Sequence, residues 1–368
     1  MTTSPQAERT AQHILAKYLR KGNMARCLRD ILPGSHLTFD ERQHIADTMH
    51  TIVRWKHLYT HLLTQQGQTP NPEAFLTLAA TQPLNLPPNL PPEYHYSCSP
   101  YVATIFTQHP DWADYLNTNP PTTLCVNLNK ATREGVLRIL HAELFHATPG
   151  QLPTAVVCPS SSAKNTTLVT EHLVHVQDES SQLAASLAVD HGDHLLDFCA
   201  GNGGKTLTIA SLTKNTKSIA AFETKPERRQ KLQQRCLDYG ANVSVESQLP
   251  SRAFDLILVD APCSGLGAAR RNPEAKYIPN AGEYPNIQES ILKHAAEYLT
   301  PTGSLLYVVC TITPEETTQV VSTFTSKAPF EPQPLSAPEG FLTKTLNGYF
   351  TSIAQGDLFF ISLLQKHS

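Results

Sequence analysis

The sequence predicts an α/β protein: a Rossmann-like, doubly wound sheet in the carboxy-terminal half, preceded by a small α+β module and an all-α amino-terminal domain. Three observations carry that expectation. From Leu183 onward, strand-like runs (HLLDFCA, SIAAFE, NVSVE, FDLILVDAP, GSLLYVVC) alternate with helical patterns over short connections. A glycine-rich turn, Gly201-Asn202-Gly203-Gly204, follows the first run and opens a helix at Lys205-Thr206. Two later runs, apolar enough to be fully buried parallel strands, each end in a cysteine: Cys263 in FDLILVDAPCSG and Cys310 in GSLLYVVCTITPEE.

The earlier elements follow in order. Residues 7–20 put Ala11, Ile14, Leu15, Tyr18 and Leu19 on one helical face, and residues 39–63 repeat the pattern with Asp40 as the expected cap. An all-α unit to about residue 82 is the natural reading. Pro83, Pro87, Pro88, Pro91, Pro92 and Pro100 make residues 83–100 a linker or an extended wrap. Between 101 and 180, YVATIFTQHPDWADYL and REGVLRILHAEL read as helices, while TTLCVNLN, TAVVCP and TTLVTEHLVHVQD read as short strands. The doubly wound domain takes residues 181–368.

Length and composition set limits. At 368 residues there is room for two or three domains, and 40% hydrophobic against 17% charged residues describes an ordinary globular chain. No apolar run of about 18 residues exists, so no membrane span is expected. The charged stretch MTTSPQAERTAQHILAKYLRKG does not resemble a signal peptide, which points to the cytoplasm. The eight cysteines lack any C-x2-C spacing, so free thiols and no metal site are expected. A net charge of −3 does not announce a nucleic-acid partner, but the balance is uneven: Lys17, Arg20, Lys21, Arg26 and Arg29 cluster without an acid. Arg270, Arg271 and Lys276 follow the Cys263 motif, where they suggest an anionic substrate.

Ligands of an open parallel sheet collect beyond the carboxyl ends of its strands. Glycines let backbone N–H groups approach a ligand there, and the helix N-terminus adds positive potential. The triphosphate-loop pattern fails because residue 199 is Cys, and the dinucleotide fingerprint fails as well. The second strand ends in Glu223, placed to accept both hydroxyls of a ribose. Together these features suggest an adenosine-containing cofactor; a tight strand–helix turn beside a surface acid is the plainer alternative. Cys263 sits on a turn broken by Pro262 and opened by Gly265, and Pro314 stops pairing after Cys310, so both thiols are held at the sheet's rim. A thiolate there suits addition to an electron-poor carbon followed by elimination.

The segments 197–206, 260–265 (DAPCSG) and 309–316 (VCTITPEE) resemble three motifs of the Sun/RsmB-type RNA cytosine-5 methyltransferases. VQDESS (176–181) resembles the segment preceding that family's catalytic core, and Gln288, Ile291, Leu292 and Ala295 fall where its next helix has them. GDLFFISLLQK is similar to its usual final strand, and DERQHIADTMHTIVRW to the NusB-like domain of its 16S-rRNA branch. The resemblance implies S-adenosylmethionine as cofactor, a cytosine in RNA as substrate, and RNA-binding roles for the two amino-terminal segments; a monomer is the default expectation, since nothing in the sequence sets the oligomeric state. It also implies that Cys310 adds to carbon 6 of the ring and that Cys263 assists loss of the carbon-5 proton and release of Cys310. Asp260 would hold the base or the cofactor, and Lys205 the base. Cys199, Ala200, Gly201, Asn202, Gly203, Gly204 and Lys205 would cradle the methionine end, with Glu223 on the ribose, Arg228 nearby and Glu246 or Ser247 toward the adenine. Transfer RNA as substrate, or a non-catalytic RNA-binding assembly factor, are the alternatives. The chain departs from the family in having Gly201-Asn202 where Ala-Pro is usual, and Cys125 where an Arg is frequent.

Overall fold

A computed structural model describes the chain except residues 1–3, 82–88, 250, 252, 353–355 and 368. Pro83, Pro87 and Pro88 of the expected linker therefore lie outside the described residues. The chain divides into two compact units, Met1–Thr118 with Ala269–Asn280, and Asn119–Ala268 with Ala281–Ser368.

The first unit is helical. Helix Pro5–Lys21 is capped by Ser4 and ended by Gly22 in the left-handed conformation; it buries Ala7, Ala11, Ile14, Leu15 and Tyr18. Leu19, expected inward, is exposed. The single helix expected over 39–63 is two, Phe39–Arg54 and Lys56–Gln65, broken at Trp55. Its cap is Thr38, not Asp40: the Thr38 hydroxyl and the Glu41 carboxylate bond each other's backbone N–H. Helices continue past residue 82, through Pro92–His95, Pro100–Gln108 and Pro110–Leu116. The helical unit thus ends near 118, beyond the boundary expected at 82, and it also takes in residues 269–280.

The second unit opens with a four-stranded antiparallel sheet. Its strands are β1 (Thr122–Val126), β2 (Thr148–Pro149), β3 (Ala155–Cys158) and β4 (Val174–Val176), in the order β2-β3-β1-β4. Residues 167–170 form a helical turn where a strand was expected, and β4 is correspondingly short.

The large sheet comprises β5 (His194–Asp197), β6 (Ser218–Phe222), β7 (Val243–Glu246), β8 (Phe254–Asp260), β9 (Leu299–Val309), β10 (Phe330–Gln333), β11 (Leu342–Thr345), β12 (Gly348–Thr351) and β13 (Phe360–Lys366). The order is β11-β12-β13-β9-β8-β5-β6-β7, with β10 also on β13. Strands β5 to β9 are mutually parallel, whereas β10 to β13 pair antiparallel at the β9 edge. Strand side chains alternate between faces, and both faces here are apolar. Leu195, Leu256, Leu258, Leu306 and Val308 join one core. Leu196, Ile257, Val259, Leu305, Tyr307 and Val309 join the other. The chain reverses direction across the sheet between β5 and β8, so their carboxyl ends border a crevice. Among the described residues, no helix is long and apolar enough to cross a membrane.

Candidate active site

The residues singled out from the sequence lie at that crevice because each terminates or follows one of the parallel strands. Asp197 ends β5, Glu223 follows β6, Glu246 ends β7, Asp260 ends β8 and Cys310 follows β9. Counting alternate residues from Leu195, Leu256 and Leu306 puts Asp197, Asp260 and Cys310 on the same face of the sheet.

The glycine turn needs its glycines. Gly201 (φ +57°) and Gly203 (φ +82°) are left-handed, and a Cβ on Gly203 would lie 2.3 Å from Leu232 Cδ1. Gly203 caps helix Gly204–Leu212, whose N-terminus opens at the crevice. Arg235 Nη1 donates to the Asn202 carbonyl at 2.5 Å, a tether on the stretch where the family's usual proline is missing. Glu223 is buried, and its Oε1 accepts the Lys225 N–H at 2.7 Å; its second oxygen bonds none of the described residues. A left-handed glycine turn beside a buried carboxylate with a spare oxygen suits a ligand carrying vicinal hydroxyls. Arg228 is exposed on helix Pro226–Tyr239, and it is Arg229 that donates to the Glu223 carbonyl, at 3.0 Å. Glu246 is half-buried and bonded by Ser244 at 2.5 Å.

Lys205 reaches across to Asp260, Nζ to Oδ2 at 2.6 Å. Burial works against its charge, but Asp260 outweighs that and raises the ammonium above its ordinary range, with Cys310 and Asp197 adding. Asp197 is buried and accepts Thr206 Oγ1 at 2.6 Å. Burial pushes its carboxyl up to about 6; Asp260 adds to this, while Thr206, Lys205 and the Cys199 N–H oppose it.

The two thiols meet. Cys263 Sγ and Cys310 Sγ are 3.4 Å apart and both are half-buried. The Cys263 thiol is held well above the usual thiol range, first by its hydrogen bond with Cys310, then by burial and by the charges of Cys310 and Glu316. All eight cysteines are free; Cys199 is half-buried like the pair, and the other five are buried. Burial pushes Cys125, at the family's frequent Arg position, up to about 12, and holds Cys199 well above its range.

Arg270 and Lys276 do not form a substrate-facing patch: both are buried in the helical unit. Arg270 donates to Tyr115 Oη at 2.6 Å, and Lys276 Nζ donates to the Arg54 and Tyr96 carbonyls and to Asn117 Oδ1 at 2.8, 3.0 and 2.5 Å. Of the first basic cluster, Lys17 and Arg26 face Asp30, the next residue after the run, at 2.8 and 4.0 Å.

Sequence reasoning missed a buried polar network beneath the thiols. The Glu316 carboxylate accepts from Ser264 N, Gln288 Nε2 and Thr313 Oγ1 at 2.9, 3.0 and 2.8 Å. Gln288 Nε2 also donates to the Pro262 carbonyl at 2.8 Å, and Ser264 Oγ pairs with Thr311 Oγ1 at 2.8 Å. The Thr-Pro-Glu-Glu run after Cys310 was the available signal, but nothing local says which Glu turns inward.

Residues 184–365 match the model of a family described as 16S rRNA methyltransferase RsmB/F. Ribosomal RNA small subunit methyltransferase B of Enterobacter sp. (strain 638) is 33% identical over 222 residues, 56% of this chain and 52% of that protein. The probable ribosomal RNA small subunit methyltransferase B of Bacillus subtilis (strain 168) is 33% identical over 228 residues, 58% and 51% respectively. The chain thus spans about half the length of the curated relatives it matches. Among solved structures, PH0851 superposes with a TM-score of 0.81 at 20% identity, each chain covered in full. NSun6 from Pyrococcus horikoshii, solved with SFG, gives 0.61 at 17% identity over 69% of this chain and 92% of that one. These structural likenesses establish the Rossmann-like fold with its helical amino-terminal region. The sheet-bearing half of the chain, residues 184–365, belongs to the RsmB/F methyltransferase family.

Proposed function

We propose that the chain methylates carbon 5 of a cytosine in RNA, namely 16S ribosomal RNA, using S-adenosylmethionine and a covalent Cys310–cytosine intermediate resolved with Cys263. The observation that carries this reading is the pair of sulfurs 3.4 Å apart at the end of β9 and the turn after β8, on the rim that also holds Lys205 and Asp260. A single nucleophile needs no second thiol; addition followed by elimination uses both.

S-adenosylmethionine, when bound, supplies an electrophilic methyl group. Residues 199–205 would cradle its methionine end, Glu223 would take the ribose hydroxyls, and Glu246 would face the adenine. Arg228, exposed, would act at the margin of that pocket. Lys205 and Asp260 orient the base. Cys310, as thiolate, would bond carbon 6, pushing the ring's electron pair to carbon 5 while ring N3 takes a proton from water. After carbon 5 has gained the methyl group, Cys263, its thiol proton passed to water, would take the carbon-5 proton. The C5–C6 double bond re-forms, Cys310 leaves as thiolate and N3 returns its proton to water. A thiol that holds its proton tightly makes a correspondingly strong base as thiolate, which suits Cys263 to this step. The base must leave its stack to reach the crevice, so the target is single-stranded or looped.

The helical segment (1–82 as first delimited), with Lys17, Arg20, Lys21, Arg26 and Arg29, and the α+β module of residues 101–180 would hold the RNA backbone. Eight free cysteines support action in the reducing cytoplasm; the chain would act there as a monomer by default. The test is direct. Cys310→Ala should abolish methyl transfer to RNA, and Cys263→Ala should leave a protein–RNA adduct that survives a denaturing gel. Methylation that persists in Cys310→Ala would refute the mechanism.

A further inference from the structure

We propose that Glu316 is a positioning residue for the thiol pair: its buried carboxylate ties the turn carrying Cys263 to the turn after Cys310 and makes Cys263 the proton-carrying partner. The inference rests on the reading of these two thiols as the reactive pair, and it deepens that reading by assigning what keeps them different.

The tie is geometric. Glu316 is fully buried. Its Oε2 accepts the Ser264 N–H at 2.9 Å and Gln288 Nε2 at 3.0 Å, and its Oε1 accepts Thr313 Oγ1 at 2.8 Å. Gln288 also bonds the Pro262 carbonyl, so the backbone is held on both sides of Cys263. The Glu316 carbonyl in turn accepts Tyr307 Oη at 2.7 Å, which anchors the second turn to β9. Every partner of the carboxylate is a donor, the acceptor-only pattern of an ionised group. Burying that charge is costly, and a neutral side chain could have tied two loops at less expense. The charge therefore has a second role.

That role follows from what faces each sulfur. The negative Glu316 and the Tyr307 hydroxyl lie on the Cys263 side. The positive Lys205, paired with Asp260, bears on Cys310. A proton shared between two adjacent thiols settles beside the negative charge and away from the positive one. Cys310 is then the member free to attack, and Cys263 offers it a sulfur–hydrogen donor. Glu316 touches neither base nor methyl group in this arrangement; it acts through the turns.

The pH dependence of iodoacetamide alkylation, followed at each cysteine by peptide mass spectrometry on the full chain without RNA or cofactor, tests this. In the wild type, Cys310 should alkylate at lower pH than Cys263. E316Q should lower the Cys263 midpoint by about one pH unit, a roughly tenfold gain in its rate near pH 8. If E316Q fails to fold, T313V carries the test: it removes a donor from the carboxylate, leaves the charge less compensated and moves the Cys263 midpoint upward. Unchanged midpoints, or a shift common to both thiols, would overturn the assignment. The enzyme reading is judged separately by Cys310→Ala, so either can fail while the other stands.

Discussion

Asp197 and Asp260 end neighbouring strands and face the same side of the sheet, yet their surroundings give them different tasks. Asp260 is one-third exposed and ion-paired with Lys205, whereas Asp197 is buried against the Thr206 hydroxyl. With a folded-state pKa of about 6 against roughly 3.9 for an unfolded Asp, Asp197 binds its proton more tightly in the native state. Between about pH 4 and 6 the native state then holds the extra proton, so this group makes stability fall as pH rises, by up to about 3 kcal/mol. D197N keeps an acceptor for Thr206 without the charge and should lack that fall. Urea midpoints from pH 4 to 7 check this, and the difference between the two proteins isolates the residue from the other carboxylates. Parallel pH profiles would refute it. The position of Asp197 at the strand end was legible in the sequence; its burial was not, because it depends on the β6 and β8 neighbours that enclose β5.

At the scale of the element, the turn after Cys263 shows why one glycine is replaceable and its neighbour is not. Gly265 is left-handed (φ +75°) but has open space where a Cβ would go. A Cβ on Gly267 would sit 1.9 Å from the Leu358 carbonyl oxygen, a backbone atom with nowhere to move. Gly267 also donates to the Cys310 carbonyl at 3.0 Å and accepts the Leu358 N–H at 2.9 Å, so it stitches the two together. G265A should cost only the left-handed penalty, about 1 kcal/mol. G267A should cost more than about 2 kcal/mol and also change Cys310 alkylation; equal losses by denaturant titration would contradict this. No local pattern marks Gly267, since its constraint comes from residues about 45 and 90 positions away. The strands of the large sheet were legible for the opposite reason: their apolar alternation is local and long. Where the local signal was thin, the reading slipped. The helix expected over 39–63 breaks at Trp55, and residues 167–170 form a helical turn, though neither stretch carries a glycine or proline to mark the change.

The whole chain repeats that lesson. The glycine turn and both cysteine turns stood out because chemistry at strand ends leaves glycine, proline and thiol signatures nearby. The extent of the helical unit did not, since it recruits residues 269–280 from across more than 150 residues of chain. Lys276 is the anchor of that return. Its ammonium satisfies Arg54 O, Tyr96 O and Asn117 Oδ1 and lies 5.4 Å from the centre of the Trp55 ring. K276M keeps much of the volume but leaves Asn117 Oδ1 without its donor and Arg54 O and Tyr96 O with only the longer bonds from Tyr277 Oη and Asn117 Nδ2, each 3.3 Å, a loss of about 2–4 kcal/mol. Both tryptophans of the chain, Trp55 and Trp112, lie in this unit, so tryptophan fluorescence, excited where tyrosine does not absorb, reports its unfolding alone. Exposure of Cys310 to alkylation reports the other unit. In K276M the fluorescence transition should move to lower urea while the Cys310 transition holds its midpoint. Equal displacement of both would mean that residues 269–280 stabilise the sheet-bearing unit as much as the helical one, contrary to the buried acceptors that Lys276 fills.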